Sequence, residues 1–454
     1  MDVHAVTESG EVEEMLRSAG RRRWSYGEVF TERTRRTAAR LADSAVIDLM
    51  TSSDQGFCLR HRTQHDTGWV AAPTLRPAAI RAAVRGELDM ADVLARAASG
   101  DVRSGSAGDD GHELDGLLDL LRQVDAAARD SDPRVRQVLI DAELTGRQTS
   151  VITTTGEAVH QSQELLYLTI RVVAQSGSST STGFYTPGTS RPAELGDPER
   201  IGREAADRAV AALDARPAPV ERLPVVIGPG RGMVLIHEAC CHPLEGDEVL
   251  RGSVYAGRVG QAVASPLVTI VDDPTTPGGV GSYGHDDEGV PGRPSAVVQD
   301  GQLTGFLTDR DSADRLGTGT TGNGRRSSWR VPALPRMSNT CIAPGTMSPE
   351  DVIADTPFGL YAQHVAGGEV VESTGDFVFR VTNGNLIRNG RLAEPIQETT
   401  LSGNGMQVLR DIDAVGNDVH LGAARCGKFD QLIPVGVSGP TLRVRELLVG
   451  GERT

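Results

Sequence analysis

Three prolines fall within nine consecutive positions, in the segment RPAPVERLP at residues 216–224. Prolines this close together end regular secondary structure, and such a segment is typical of a boundary between domains. Segments with helical and strand periodicity alternate before it, whereas glycines are dense and helical periodicity is scarce after it. The chain has 454 residues, enough for two to three domains of about 150 residues each. We therefore predict an N-terminal domain over residues 1–220 and a C-terminal domain over residues 221–454.

The N-terminal half combines strand and helix patterns. Strand-type alternation predicts strands from Tyr26 and around residues 56–63, and three more over residues 135–144, 149–156 and 164–175. Apolar residues at helical spacing predict a helix over residues 112–129, which Asp132-Pro133 would end, and an alanine-rich helix over Pro198–Leu213. This half should be a mixed α/β domain.

Two Asx-Gly pairs in the C-terminal half predict β-hairpins. Asp300-Gly301 and Asn389-Gly390 each separate two segments of alternating hydrophobicity. Both positions of a type I′ turn need positive φ, which Asn, Asp and Gly tolerate best. We predict a mainly antiparallel β domain whose one clear early helix lies near residue 237. The fold class is then α+β.

Charge and composition exclude several functions. The chain carries 61 acidic and 46 basic residues, a net charge of −15, which argues against nucleic acid or an anionic membrane as its main partner. No apolar stretch approaches the ~18 residues of a membrane span, and acidic residues stand where a secretory signal needs a positive start. Five scattered cysteines suit reduced thiols. We expect a cytoplasmic protein.

The segment LIHEACCHPLEGD, residues 235–247, places His237 and His242 five residues apart, with Glu238 directly after the first. On a regular helix, residues five apart lie about 140° from each other, too far round to share one ion. Either a π-type bulge brings the two histidines into line, or the helix unwinds before His242. Pro243 favours unwinding, because the residue before a proline avoids the α region.

Two histidines do not complete a catalytic zinc site, which takes three protein ligands and leaves a fourth position for water. Cys240 and Cys241 lie between the histidines and would be strained as ligands. Cys426 is followed by a glycine, and Lys428 nearby would favour its thiolate. Chemistry alone leaves the choice between Cys426 and His285 open. The full set of candidates for the third ligand is Cys240, Cys241, Glu245, Asp247, His285, His364, His420 and Cys426.

Six motifs occur in one order along the chain. They are HEACCHPLEGD, GSYGHDDEG, TGNGRRSS, PRMSNT, GGEVVESTGDFVF and CGKFDQLIPVGVSGPTLRV. In this order and approximate spacing they resemble the TldD/PmbA family of metallopeptidases, clearly over residues 223–449 and more weakly over residues 26–213. Pro243 departs from the family pattern, in which glycine is expected there more often.

The resemblance implies one zinc ion bound by His237, His242 and Cys426, with Glu238 as the general base. It implies that the C-terminal domain is the metallopeptidase domain and that the N-terminal domain contributes the substrate cavity and dimerisation. It also implies short or unfolded peptide substrates, and a dimer with a second copy or with a TldE/PmbA-like paralogue that has lost the motif. This chain keeps the motif and so resembles the active type.

Further polar residues near these motifs are candidates for supporting roles. Glu245 and Asp247 either hold a histidine tautomer or are surface carboxylates after a helix end. Asp286 and Asp287 either bind the amine of a substrate or solvate a loop. Arg336 and Asn339 either clamp a peptide backbone or carboxylate, or are structural. These six are predicted as groups around the metal ligands or as substrate-binding residues: Glu245, Asp247, Asp286, Asp287, Arg336 and Asn339.

The leading hypothesis is a cytoplasmic, zinc-dependent peptidase that hydrolyses short, unfolded or modified peptides with a metal-activated water and Glu238 as general base. One alternative is a biosynthetic amide hydrolase that acts on a small-molecule conjugate. Another is a non-catalytic subunit of a heterodimeric peptidase, whose metal site only orders the fold.

Overall fold

The computed structural model describes residues 11–22, 24–63, 66–88 and 110–450. Residues 1–10, on which the expected lack of a secretory signal partly depends, lie outside the described residues, as do the outer ends of both predicted domains. The α-helices of the described part are α1 (Glu11–Arg22), α2 (Pro77–Arg85), α3 (Asp110–Ser131), α4 (Pro198–Leu213), α5 (Val234–Ile236), α6 (Gly246–Leu250), α7 (Arg310–Leu316), α8 (Pro349–Ala354) and α9 (Gly405–Asp411). Short 3₁₀ turns span Pro192–Glu194, Gly230–Met233 and His242–Leu244.

The strands of the N-terminal half are β1 (Tyr26–Ala42), β2 (Ala45–Arg62), β3 (Thr67–Ala72), β4 (Val135–Thr153), β5 (Ala158–Ser176), β6 (Ser179–Tyr185) and β7 (Gly188–Thr189). Those of the C-terminal half are β8 (Glu221–Ile227), β9 (Ile270–Asp272), β10 (Ser295–Gln299), β11 (Gln302–Leu303), β12 (Gly324–Arg325), β13 (Leu334–Pro335), β14 (Asn339–Ile342), β15 (Phe358–Val371), β16 (Asp376–Arg388), β17 (Arg391–Pro395), β18 (Thr399–Asn404), β19 (Ile412–Val415), β20 (His420–Lys428), β21 (Gln431–Gly439) and β22 (Leu442–Val449).

One antiparallel sheet of seven strands forms the N-terminal half, in the order β3-β2-β1-β4-β5-β6 with β7 beside β5. The two strands predicted over residues 135–144 and 149–156 are one continuous strand, β4, so that prediction is wrong. The polar stretch between them stays extended because it pairs with β1 on one side and with β5 on the other. Neighbouring strands satisfy its backbone groups, which removes the need for a turn.

Helices α3 and α4 cover one face of this sheet, and both predicted helices are confirmed. Leu121 and Val124 of α3 and Ala205 of α4 are fully buried against Ile140 and other sheet residues. The two helices approach closely at Gly202 of α4, where a Cβ would stand 2.4 Å from a backbone oxygen of α3. Only glycine permits this distance.

Two larger sheets build the C-terminal half. Their orders are β11-β10-β9-β14-β21-β20 and β15-β8-β22-β18-β16-β17, with β19 beside β22, and β12 and β13 form a small pair. Most neighbours are antiparallel; β14–β21 and β15–β8 are parallel. The predicted hairpins are confirmed, with φ of 47° and 81° at Asp300 and Gly301, and 51° and 69° at Asn389 and Gly390. The predicted α+β class is confirmed.

The segment with the two histidines lies in the core that these two sheets share. Leu235 and Ile236 pack in one cluster with Val225 and Val444 of one sheet and Val437 of the other. The predicted division at residue 220 falls between α4 and β8. Apolar side chains thus fix the position of the histidines from both sides.

Candidate metal centre

The backbone around His237 changes its winding twice within eleven residues. After α5, residues His237–Cys241 form a π-helical turn, closed by the N–H of His242 bonding to the carbonyl of His237. The 3₁₀ turn His242–Leu244 follows. The π turn, with its i→i+5 bonds, aligns residues five apart. The first of the two predicted alternatives, the π-type bulge, is therefore the one that the chain adopts.

The expectation that Pro243 unwinds the helix before His242 is wrong. His242 has φ −53° and ψ −44°, in the α region, although it precedes the proline. Residues before proline avoid this region for local steric reasons, but His242 is held by contacts from outside the helix. The change of winding comes one step later, with Pro243 inside the first turn of the 3₁₀ segment.

Four donor groups converge at this turn. One ligand atom from each of His237, Glu238, His242 and Cys426 lies within 4.8 Å of all the others. Nε2 of His242 is 2.8 Å from Sγ of Cys426 and 3.2 Å from Oε2 of Glu238. The two imidazole rings are 5.2 Å apart and nearly perpendicular. The two histidines and the cysteine are buried, whereas the Glu238 side chain is 31% exposed.

Cys426 reaches this cluster from β20, where it pairs across the hairpin with Ile433 of β21. In the part of the chain that the structure describes, no other candidate third ligand joins the group. His364 bonds to the Thr382 hydroxyl at 2.9 Å, and Sγ of Cys240 points to the carbonyl of Gly405. His285, Cys241 and His420 also lie outside the cluster.

The electrostatics favour charged donors. Burial alone would raise the pKa of the Cys426 thiol, but the charge and hydrogen bond of His242 and the nearby His237 lower this pKa to about 5. Burial likewise opposes ionisation of Glu238, yet the bond to His242 and the charges of both histidines lower its pKa to about 2. Burial opposes protonation of His242, but the charges of Cys426 and Glu245 raise its pKa, so at neutral pH the thiolate and the carboxylate face a protonated His242 ring.

His237 shows that the cluster suits a cation. Both of its ring nitrogens are buried, and neither has a hydrogen-bond partner among the described residues. A buried polar atom without a partner costs about 1–3 kcal/mol. A metal ion bound by His237, His242 and Cys426 would satisfy one of the two nitrogens, and a histidine–histidine–cysteine set is one that zinc accepts.

Glu245 supports His242 from behind. It is fully buried, and its Oε2 accepts hydrogen bonds from Nδ1 of His242 and from Nζ of Lys428, both at 2.9 Å. Its Oε1 accepts from the backbone N–H of Met337 at 3.1 Å. A carboxylate on Nδ1 of a histidine fixes the ring so that Nε2 faces the metal. Asp247 contacts Lys428 at 2.5 Å and is not a solvated surface group.

Arg336 lies on the opposite side of the sulfur. It is fully buried and donates from Nη2 to the carbonyl of Cys426 at 2.8 Å and to its Sγ at 3.2 Å. The interpretation of Arg336 as a clamp for a peptide is therefore wrong, because its guanidinium is buried and donates to Cys426. The cation beside the thiolate is Arg336, not Lys428, whose ammonium group binds carboxylates.

Asn339 is also interior. Its side chain accepts from the backbone N–H of Gly281 at 3.0 Å and donates to Asp273 and Ser282 at 2.8 and 2.9 Å. It holds a loop in place, and the clamp interpretation is wrong for it too. The PRMSNT motif stands out in the sequence, but nothing in it indicates whether its side chains face a cleft or the core.

Asp286 and Asp287 are buried, so the interpretation as a solvated loop is wrong for both. Asp286 accepts from the backbone N–H groups of Glu288, Val290 and Gly324, and burial followed by the charge of Glu288 raises its pKa. Asp287 lies 3.0 Å from a nitrogen of Arg147. Neither belongs to the metal cluster.

A cavity of about 980 Å³ separates the N-terminal sheet from loops of the C-terminal half. His160 of β5, His285 and Asp287 line it, as do Arg425 and Ile433, which flank Cys426 along β20 and across the hairpin. The four clustered donors do not line it, so the cavity borders the strand that carries the cysteine without reaching the donors themselves.

Among the described residues, no helix is long and apolar enough to cross a membrane.

The four donors form a candidate metal centre, with an acidic side chain beside three potential ligands. Residues 220–451 match the model of the PmbA/TldA metallopeptidase C-terminal domain, and residues 109–213 match that of the PmbA/TldA metallopeptidase central domain. The chain belongs to this family, the TldD/PmbA metallopeptidases.

Individual relatives agree with the family models. A Haemophilus influenzae protein named Metalloprotease TldD homolog is 37% identical over 345 residues, which cover 74% of this chain and 72% of that protein. A Methanothermobacter thermautotrophicus protein named Metalloprotease is 38% identical over 65% of this chain and 66% of its own length. The crystal structure of TldE from Thermococcus kodakarensis shares the fold, with a TM-score of 0.75 and 20% identity over 97% of this chain and 100% of that chain.

Proposed function

We propose that this chain is a zinc-dependent peptidase that hydrolyses short, unfolded or modified peptides. His237, His242 and Cys426 would bind the zinc, and Glu238 would act as general base. The observation that carries the proposal is the convergence of these four side chains within 4.8 Å, although Cys426 comes from a distant strand. Convergence from separate elements is expected of a functional site and is costly to maintain without a ligand.

When bound, zinc lowers the pKa of a water ligand toward neutrality and polarises the carbonyl of the scissile bond. Three protein ligands leave the fourth position of a tetrahedral ion open. Glu238 lies at the exposed side of the cluster, where its carboxylate can accept the proton of the attacking water and pass it to the leaving amine. It is ionised at neutral pH, as a base must be.

The surrounding residues would hold these groups in position. Glu245 fixes His242 through Nδ1, and Lys428 holds Glu245 in turn. Arg336 donates to the Cys426 sulfur, which limits the negative charge that a thiolate adds to the metal. None of the three faces the substrate in this arrangement.

The division of labour between the two halves extends the proposal. Residues 1–220 would form the substrate cavity and the dimer contacts, and residues 221–454 would form the metallopeptidase domain. The cavity of about 980 Å³ between the halves supports this, because it can hold a short peptide but not a folded domain; since it borders the strand of Cys426 and stops short of the four donors, it would hold a part of the substrate away from the scissile bond. The protein would work in the cytoplasm as a homodimer or with a TldE/PmbA-like paralogue, and the likeness to a TldE fold supports such a pairing.

The test compares Glu238→Gln with the wild type in zinc content and in cleavage of a library of unfolded peptides. The variant should keep about one zinc per chain, since glutamine is isosteric, and should lose about 10²–10⁴-fold in rate, as expected for a missing general base. Glu350→Gln, at an exposed position on α8, is the matched control and should cleave at the wild-type rate.

Three results would contradict the proposal. Cleavage by Glu238→Gln at the wild-type rate would show that another group is the base. Hydrolysis of amide conjugates without cleavage of any peptide would favour the biosynthetic hydrolase. Activity that needs a paralogue and survives Glu238→Gln in the complex would favour a non-catalytic subunit.

A further inference from the structure

A second cavity, of about 390 Å³, lies between the N-terminal sheet and the 3₁₀ turn Gly230–Met233. It is separate from the larger cavity, and the ion pair of Arg425 with Glu143, at 2.8 Å, borders both. The proposed zinc ligands do not line it. Its volume is that of a site for a small molecule, which is typically about 300–1,000 Å³.

The charged side chains that line this cavity do not balance. Arg40 pairs with Asp141 at 2.5 Å, and Glu143 receives both Arg425 and Arg36. Four arginines and three carboxylates line the cavity, which leaves one positive charge in excess. They are Arg36, Arg40, Arg231, Arg425, Asp48, Asp141 and Glu143.

Arg231 carries this excess charge. None of the carboxylates in the described part of the chain forms an ion pair with it, and its single hydrogen bond there runs from Nη1 to the carbonyl of Ala423 at 2.9 Å. Its Nε atom is buried and has no acceptor. Burial, and then the charge of Arg208, lower the pKa of Arg231. The residue as a whole is half-buried, and a partly desolvated cation without a counter-ion is unfavourable unless something else pairs with it.

Other groups near Arg231 do not supply the missing charge. Burial and the charges of Arg231 and Arg208 lower the pKa of His364 to about 3, so this histidine is neutral. Thr186 also lines the cavity, and its hydroxyl is buried without a partner among the described residues. The cavity therefore contains two unsatisfied donors, one of them charged, and its one carboxylate without an ion pair among the described residues, Asp48, is exposed and forms none with Arg231.

We infer that this cavity binds an oxyanion, the carboxylate or phosphate group of a small ligand. The Arg231 guanidinium forms the ion pair, and the Thr186 hydroxyl donates a hydrogen bond. The planar guanidinium offers parallel N–H groups that match two oxygens of such an anion. The other three arginines already have carboxylate partners, so they border the site but do not form an ion pair with the anion.

The experiment titrates the full-length, zinc-loaded protein with inorganic phosphate and, separately, with N-acetylglycine at constant ionic strength. Binding is followed by calorimetry and by the rise in unfolding temperature, which a ligand specific to the native state must cause. We expect saturable binding of at least one anion with a Kd of about 1 mM or tighter, the strength expected of a single partly buried ion pair. The two anions distinguish a phosphate from a carboxylate as the natural group.

Arg231→Met keeps the length of the side chain and removes the charge. It should weaken binding of the anion by about tenfold or more, since it loses a charged hydrogen bond. Arg40→Met, in the same cavity but at an arginine already paired with Asp141, is the matched control and should stay within about twofold. Without anion, Arg231→Met should unfold at the wild-type temperature or higher, because it removes an uncompensated charge.

If Arg231→Met does not fold, Thr186→Val tests the same site and should weaken binding about threefold or more, through loss of one neutral hydrogen bond. Two outcomes overturn the inference. One is the absence of saturable binding of either anion to the wild type up to about 50 mM, a weakness that no buried ion pair would show. The other is that the wild type, Arg231→Met and Thr186→Val all bind the anion with equal affinity.

Discussion

Two regions of this molecule bury charged side chains, and they do so differently. At the junction of the two halves, Glu28 of β1 accepts from Arg326 at 2.5 Å, from Arg60 at 3.0 Å and from the Tyr26 hydroxyl at 2.7 Å. Nearby, Arg147 bridges Glu32 and Asp287 at 2.6 and 3.0 Å. Each of these carboxylates has an arginine partner from another element, so every charge of the junction network is paired within the protein, although Nε of Arg60, Nε of Arg326 and Nη2 of Arg147 have no acceptor among the described residues.

The metal cluster lacks this completeness. His237 has no partner for either ring nitrogen among the described residues, and Glu238 has His242 but no arginine or lysine beside it. The cations that are close, Lys428 and Arg336, bind Glu245 and the back of Cys426 instead. Buried charge that is fully paired holds elements together, whereas buried charge that is left incomplete indicates a site for a ligand.

The largest expected effect is a loss of zinc affinity, a property of the metal cluster and not of the junction network. Cys426→Ala should lower zinc affinity by about a thousandfold or more, or about 4 kcal/mol, because one of three protein donors is lost. The metal-free protein should lose less, about 1–3 kcal/mol in its free energy of unfolding, because His242 and Arg336 lose the sulfur to which they are hydrogen-bonded. Competition with a chromophoric chelator measures the affinity, and urea unfolding with chelator present measures stability. Unchanged zinc affinity would remove Cys426 from the ligand set.

The second prediction applies to the junction network. Arg326→Met should lower the free energy of unfolding by about 3 kcal/mol, the lower end for breaking a buried pair, because Arg60 and Tyr26 still contact Glu28. Arg330→Met removes an exposed arginine paired with Asp54 and should cost no more than about 1 kcal/mol. Urea unfolding compares both with the wild type. A smaller loss for Arg326→Met than for Arg330→Met would contradict the view that the network stabilises the junction.

Local chemistry explains which parts of this fold were predictable. The Asx-Gly hairpins and the helix over Pro198–Leu213 follow from turn and periodicity rules that act within a few residues. The continuous strand β4 was not predictable in this way. Its polar middle has no strand signal of its own, and it is extended because two neighbouring strands pair with it.

The candidate site shows the same division. The spacing of His237 and His242 required a bulged or interrupted helix, and the structure has a π turn; the local rule for a residue before proline pointed to the wrong alternative. The residues alone left Cys426 and His285 as equal candidates, because the register of β20 and β21 decides which side chain reaches the histidines. For Arg336, the composition of its motif does not reveal that the side chain faces the sulfur.

A third prediction concerns the link between the ligands and their support. Glu245→Gln should lower zinc affinity about 10- to 100-fold, as for other carboxylates that orient a metal-bound histidine, because a neutral amide holds Nδ1 of His242 less strongly. Glu248→Gln is the control, since Glu248 also contacts Lys428, at 3.5 Å, but does not contact His242. Chelator competition compares the two. Equal zinc affinities of the two variants would mean that the role of Glu245 is to bind Lys428 and not to orient His242.

The last prediction, whose effect vanishes at low pH, tests whether every carboxylate near the junction is stabilised by its surroundings. Asp309, the N-cap of α7, is an exception: burial, and then the charge of Glu288, raise its pKa to about 7. A carboxyl with a raised pKa holds its proton more tightly in the folded state, so its contribution to stability is present below the unfolded pKa of about 4 and is lost as the pH rises to about 7.

Asp309→Asn should abolish this loss. Asparagine is an equally good N-cap, and it keeps the oxygen Oδ1 that accepts from the backbone and the hydroxyl of Ser312. Relative to the wild type, the variant should gain stability at pH 8, at most the roughly 4 kcal/mol that a shift of about three pKa units represents, and nothing at pH 4, a pattern measured by urea unfolding at both pH values. A variant less stable than the wild type at pH 8 would show that the ionised carboxylate is compensated after all, and that the junction contains no incomplete charge comparable to the metal cluster.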